Sequence, residues 1–120
     1  MTTQMTTLLL DCELVAQIRQ IERATGRNDM FSEFVRKLEG SLAGFGAAFS
    51  DCIACGDTKG AERAAHTLKG ISLQLGARAL GDLFAEIENT AKAGHYAEAK
   101  RKFDEGASVI AQSLEALKRA

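Results

Sequence analysis

Along nearly the whole chain the apolar residues recur at intervals of three and four rather than two, and there is no proline. That period belongs to the helix, so the pattern predicts an all-α protein. The first helix is expected from about Leu9 to Ala24, carrying Leu14, Val15, Ile18 and Ile21 on one side and ending at Gly26. Asn28 or Asp29 is the natural N-cap of a long second helix. In it Phe31, Leu38, Phe45 and Cys52 recur at seven, and Val35, Leu42 and Phe49 each follow by four. Gly40, Gly44 and Gly46 fall inside this helix at about 1 kcal/mol each relative to alanine, so packing and close backbone approach must hold it until Gly56.

Asp57 with Thr58 caps a third helix whose apolar face is Ala61, Ala64, Leu68, Ile71 and Leu75, and Gly76 ends it. Leu80, Leu83, Phe84, Ile87 and Ala91 form the stripe of a fourth helix stopping near Gly94, and the short connection implies an antiparallel hairpin. A single fifth helix is expected from about Tyr96 to the C-terminus, with Tyr96, Phe103, Ile110 and Leu117 at seven, joined by Ala99, Ala107 and Leu114. Four long amphipathic helices after a shorter one predict an up-and-down four-helix bundle over residues 8–120. Residues 1–7, rich in threonine, have no period and too little bulk to pack, and are expected to form a disordered tail. Met1 and this tail favour a free-standing protein, expected as a monomer.

Composition narrows the function. With 46% apolar and 26% charged residues in 120, the chain suits one globular domain with a modest core. A net charge of -1 and a pI of about 6.1 leave no basic footprint for nucleic acid. No apolar run approaches the roughly 18 residues that cross a bilayer, and Leu8-Leu9-Leu10 is too short for a signal-peptide core, so a cytoplasmic protein without a membrane partner is expected. Three cysteines make an odd set, which argues for reduced thiols. Cys52 and Cys55 have C-x-x-C spacing, but redox use would need a strand before the pair. Here both end a helix, so a structural role is expected. Cys12 with His95 does not complete a zinc site, no metal is expected, and His95 reads as a turn residue.

The candidate chemistry lies in Ala65-His66-Thr67-Leu68-Lys69-Gly70, continued by Leu73-Gln74-Leu75-Gly76-Ala77. The apolar face of the third helix stands roughly 140 to 220° round from His66, which therefore points away from the core. Side chains lean toward the helix N-terminus, so a side chain at position 70 would tilt over the imidazole of residue 66. Gly70 leaves that space empty at a cost of about 0.5 to 1 kcal/mol relative to alanine, which suggests a close approach to the ring. Lys69 adds a cation within a turn.

These residues resemble the histidine-containing phosphotransfer (HPt) domains of bacterial-type phosphorelays. The run His66 to Gly70 followed by Leu75-Gly76-Ala77 is similar to the family's hallmark. Leu80, Leu83, Ile87 and Glu88 follow at its spacing, and Asp11 and the segment from Phe31 to Leu38 resemble its opening elements. The resemblance spans nearly the whole chain. It implies a phosphocarrier that accepts a phosphoryl group on His66 from the aspartate of a receiver domain and donates it to another, with the receiver modules of hybrid sensor histidine kinases and of response regulators as partners. It also places Glu88 opposite the imidazole, where its carboxylate would hold the Nδ1 proton and leave Nε2 as nucleophile.

Lys69 would offset charge on the phosphorylated ring, worth about 0 to 1 kcal/mol for an exposed pair. Arg63, about 60° round the same surface, would help, and Gln74 would bond a phosphoryl oxygen or face water. Leu73, about 20° from His66, would either dock a partner helix or pack under the first or fourth helix. The chain has no glycine-rich phosphate loop ahead of a helix and no acidic cluster for magnesium, so it is expected to be no enzyme and to hold no cofactor, the magnesium standing on the partner. Lys59, Arg63, Lys92, Lys100, Arg101, Lys102, Lys118 and Arg119 are interleaved with acids and read as solvated helix faces. The competing reading is a helical adaptor that docks a signalling partner without phosphotransfer, in which the retained His66, Lys69 and Gly70 would have no use.

Overall fold

The computed structural model describes residues 8–120, and the expected tail at residues 1–7 lies outside them. The all-α class holds: six helices and no strand occur among the described residues. They are α1 (Cys12–Ala24), α2 (Met30–Ala54), α3 (Thr58–Gln74), α4 (Arg78–Lys92), α5 (Tyr96–Glu105) and α6 (Ala107–Arg119).

α1 begins at Cys12 rather than Leu9 because Asp11 caps it, its Oδ1 accepting from the Leu14 amide at 3.2 Å. Leu9 and Leu10 are nevertheless buried ahead of it. The Asp11 amide in turn donates to the Gly76 carbonyl at 2.7 Å, pinning the start of α1 to the turn between α3 and α4. Gly76 is doubly required there. Its φ is +82°, and a Cβ would stand 3.0 Å from Val15 Cγ2 and 3.1 Å from the Asp11 carbonyl.

The α1 stripe departs from expectation at its end. Ile21 is 57% exposed, and the neighbouring Glu22 is buried. The reason lies in the next helix. Asp29 precedes α2 but its side chain caps nothing. Glu22 Oε2 instead accepts from the Phe31 amide at 2.9 Å, satisfying one of the orphan donors at the start of α2 from outside that helix.

α2 buries the expected face, Phe31, Val35, Leu38, Leu42, Phe45 and Phe49, with Cys52 half-buried. The Phe45 ring lies 5.4 Å from Phe49, 5.1 Å edge-on to Phe84 and 4.8 Å from Phe103, so residues of α2, α4 and α5 meet in one aromatic cluster. Contacts of this geometry add about 0.5 to 1.5 kcal/mol each beyond area burial. Gly46 lets Phe103 approach, since a Cβ there would stand 3.2 Å from its ring. Gly40 and Gly44 face open space, so close backbone approach explains one of the three glycines.

α3 packs along α4 across the turn at residues 75–77 and along α2 on its other side. α4 packs along α5, and α2 also meets α5 and α6. The buried line of α3 is Ala61, Ala65, Leu68, Ser72 and Leu75, while Ala64 and Ile71 are half-buried. The helix is therefore rolled slightly toward α4 relative to the predicted face.

The expected single C-terminal helix is interrupted at Gly106. There ψ is 5°, although the Gly106 amide still donates to the Lys102 carbonyl at 3.0 Å. Leu83 of α4 presses on this point. A Cβ at Gly106 would lie 2.7 Å from Leu83 Cδ2, so the absence of a side chain admits a leucine where a continuous helix would present one. Beyond the break Ala107 is exposed rather than part of the stripe, and Leu117 and Ser113 are buried.

Candidate functional site

α3 starts where Asp57 Oδ1 accepts from the Gly60 amide at 2.9 Å, and its roll is set by Ala61, Ala65 and Leu68 in the core. With those residues inward, His66 faces out, its side chain 63% exposed. Glu88 sits across from it on α4, between the fully buried Ile87 and Ala91, and its side chain is only 4% exposed.

Burying a carboxylate demands partners, and Glu88 has three. His66 Nδ1 lies 2.9 Å from Oε2, Lys69 Nζ 3.1 Å from Oε1 and Lys92 Nζ 3.1 Å from Oε2. Burial pushes the Glu88 carboxyl up, but the hydrogen bonds from Lys69, Lys92 and His66 together outweigh it and hold the group below the ordinary value of 4.5. An ionised carboxylate only accepts, so the imidazole donates from Nδ1, and in its neutral form the lone pair lies on Nε2. The ring thus has one nitrogen fixed inward and one free outward.

In front of the ring is a cleft of about 310 Å³ lined by Lys59, Glu62, Arg63, His66, Glu88 and Lys92. No atom lies within 4 Å of where a Cβ would stand on Gly70, so the α3 surface one turn beyond the ring is open. Arg63 is exposed and borders the cleft. Lys69, expected as a cation within a turn of His66, pairs with Glu88. Gln74 is not brought to this site. It lines a separate apolar cleft between α1, α2 and α3 with Ile18, Phe34, Lys37, Ile71 and Leu75. Leu73 is 46% exposed and at the same time lies over Gly81 of α4, where its side chain fills the space a Cβ would take.

Lys92 is the residue that sequence reasoning passed over. Expected on a solvated face, it is paired to Glu88 from the same helix, and the Glu-to-Lys spacing of four was the available signal. The cysteines Cys12, Cys52 and Cys55 are free thiols, and no group of three or more His, Cys, Asp or Glu suited to a metal ion occurs among the described residues. No helix among them is long and apolar enough to cross a membrane.

Among curated proteins, none matches this chain. Among solved structures, the histidine-containing phosphotransfer domain of ArcB from Escherichia coli is similar in fold, with a TM-score of 0.69 at 19% sequence identity. The match covers 95% of this chain and 93% of that one. The family model of the Hpt domain matches residues 29–120, a span that holds His66, Glu88 and both lysines, and the chain accordingly belongs to the Hpt domain family.

Proposed function

We propose that this protein is a histidine phosphocarrier of a two-component phosphorelay, taking a phosphoryl group on His66 from the aspartate of one receiver domain and passing it to that of another. The observation that carries this reading is the exposed imidazole whose Nδ1 is held by a buried, ionised carboxylate. In the step, the Nε2 lone pair forms the N–P bond as the P–O bond to the partner's aspartate breaks. The electron pair of that bond stays on the aspartate carboxylate. The Nδ1 proton remains hydrogen-bonded to Glu88, whose negative charge offsets the positive charge gained by the ring. Return of the phosphoryl group is the reverse.

Lys59, Arg63 and Lys92 border the cleft where the phosphoryl oxygens would arrive. Lys69 supports Glu88, Gly70 leaves room for the partner and Leu73 offers it an apolar contact. Gln74, remote in its own cleft, would act on the partner's surface rather than on phosphate. The chain itself is a transfer intermediate and not an enzyme. Magnesium and the acidic pocket come with the receiver, and no cofactor is required of this chain.

The partners would be receiver domains of a hybrid sensor histidine kinase and of a response regulator, met in the cytoplasm by a monomer that engages neither nucleic acid nor membrane. Residues 8–120 would act as one unit, arranged as an up-and-down bundle of four helical rods with α5 and α6 forming the last. The circuit of contacts from α2 to α3 to α4 to α5 and back to α2 supports that arrangement. Incubation with a phosphorylated receiver domain tests the function. The wild type is expected to gain acid-labile, base-stable phosphate and His66→Gln none, whereas equal labelling of both, or of neither, would reject the reading.

A further inference from the structure

One oxygen of Glu88 serves two donors. Oε2 accepts from His66 Nδ1 at 2.9 Å and from Lys92 Nζ at 3.1 Å, while Oε1 is taken by Lys69 at 3.1 Å. The two lysines come from different helices: Lys69 stands one turn past His66 on α3, and Lys92 one turn past Glu88 on α4. Rotation about the terminal torsion of a glutamate is soft and roughly two-fold, so a single ammonium does not decide which oxygen faces a third group. Ammonium ions at both ends of the carboxylate remove that freedom.

We propose that Lys92 is a positioning residue for His66. By holding Oε2 it keeps that oxygen against Nδ1, and so keeps the proton on Nδ1 and the reactive lone pair on Nε2, toward the cleft. The lysine acts through Glu88 and need not touch the phosphoryl group. This rests on the carrier reading for its purpose but not for its geometry. The Lys92 side chain is 56% exposed although its partner is buried, and Lys69 and His66 still hold Glu88 once Lys92 is gone, so the loss of this ammonium should cost folding little. Its effect should therefore fall on the imidazole rather than on stability.

Lys92→Met keeps the aliphatic stem and removes the ammonium. In long-range proton–nitrogen correlation spectra of the deprotonated imidazole, the wild type is expected almost wholly as the Nδ1–H tautomer. Lys92→Met is expected to show a readily detected Nε2–H population and several-fold slower phosphoryl uptake at an unchanged thermal midpoint. Lys92→Arg should restore both, because a guanidinium can also donate to Oε2. Lys118→Met removes the same charge from α6, where Lys118 pairs with Glu39 at 2.9 Å, and should shift neither. Wild-type tautomer populations in Lys92→Met, or an equal shift in Lys118→Met, would overturn the proposal. If the wild type gained no phosphate while Lys92→Met still shifted the tautomer, the carrier reading would fail and the positioning role would stand.

Discussion

Glu22 and Glu88 are both buried carboxylates, and both titrate below the ordinary value of 4.5, but they are put to different ends. For Glu22 the leading cause is the Phe31 amide, which outweighs burial with help from Arg19 at 2.8 Å. For Glu88 burial is the leading influence and raises the group, and three side-chain donors overcome it. Glu22 thus spends an oxygen on a backbone amide inside the fold, tying α1 to the start of α2. Glu88 spends its oxygens on side chains that reach the surface, one of them an imidazole with a free nitrogen facing out. Depressed titration in a buried acid therefore does not mark a reactive site by itself. The exposure and remaining valence of its partner do.

The largest effect should come from separating the two acids by activity. Glu88→Ala is expected to slow phosphoryl uptake by roughly ten- to hundredfold, by analogy with the loss of the hydrogen-bond acceptor behind a metal-bound histidine. Glu22→Ala should leave the rate at its wild-type value, and single-turnover transfer from a phosphorylated receiver measures both. Comparable losses in the two variants would erase the distinction. The order should invert for stability. Removing Glu22 strands the buried Phe31 amide, whereas removing Glu88 frees donors that can turn to water. Thermal unfolding followed by far-ultraviolet circular dichroism should show the lower midpoint for Glu22→Ala.

A smaller effect is shared by both acids. Each has a folded-state value below 4.5, so the folded chain binds these protons less readily than the unfolded chain. Their stabilisation is complete above 4.5 and lost as the pH falls below it through the folded-state range. The double variant Glu22→Gln, Glu88→Gln should be less stable than the wild type at neutral pH, yet lose less on acidification. Urea midpoints at neutral pH, at 4.5 and about one unit lower check this. Parallel acid slopes would show that other carboxyls dominate.

The contrast also explains what could be read in advance. Four helix ends were visible at Gly26, Gly56, Gly76 and Gly94 because each adopts a positive φ that glycine tolerates best. Gly106 was not visible. It keeps a negative φ, and the spacing of seven through Tyr96, Phe103, Ile110 and Leu117 runs straight across it, so only the packing of Leu83 reveals the break. Glu22 was hidden for a related reason. A glutamate beside Ile21 reads as the solvent edge of a stripe, and its partner is a backbone amide, which has no letter in a sequence. The meeting of His66 with Glu88 was legible through the family resemblance, because both partners are side chains and side chains do have letters. Lys92 was legible in principle through its spacing from Glu88, and was lost among seven other cations that looked alike.

The smallest effect concerns the space on the outer side of the imidazole, which has no counterpart at Glu22. Gly70 lies in mid-helix with nothing within 4 Å of a prospective Cβ, so alanine there meets no obstacle within the folded chain. Removing a mid-helix glycine without strain should stabilise the protein by about 0.5 to 1 kcal/mol. If the gap serves only the chain's own folding, transfer should be untouched. If it admits the partner's active site, Gly70→Ala should be more stable yet transfer a few-fold more slowly, and a larger side chain such as leucine should slow it further without unfolding α3. A rise in stability paired with a fall in rate would place the demand for glycine on the receiver rather than on the helix. Wild-type rates in both variants would remove Gly70 from the site and leave the Glu88 arrangement to account for reactivity alone.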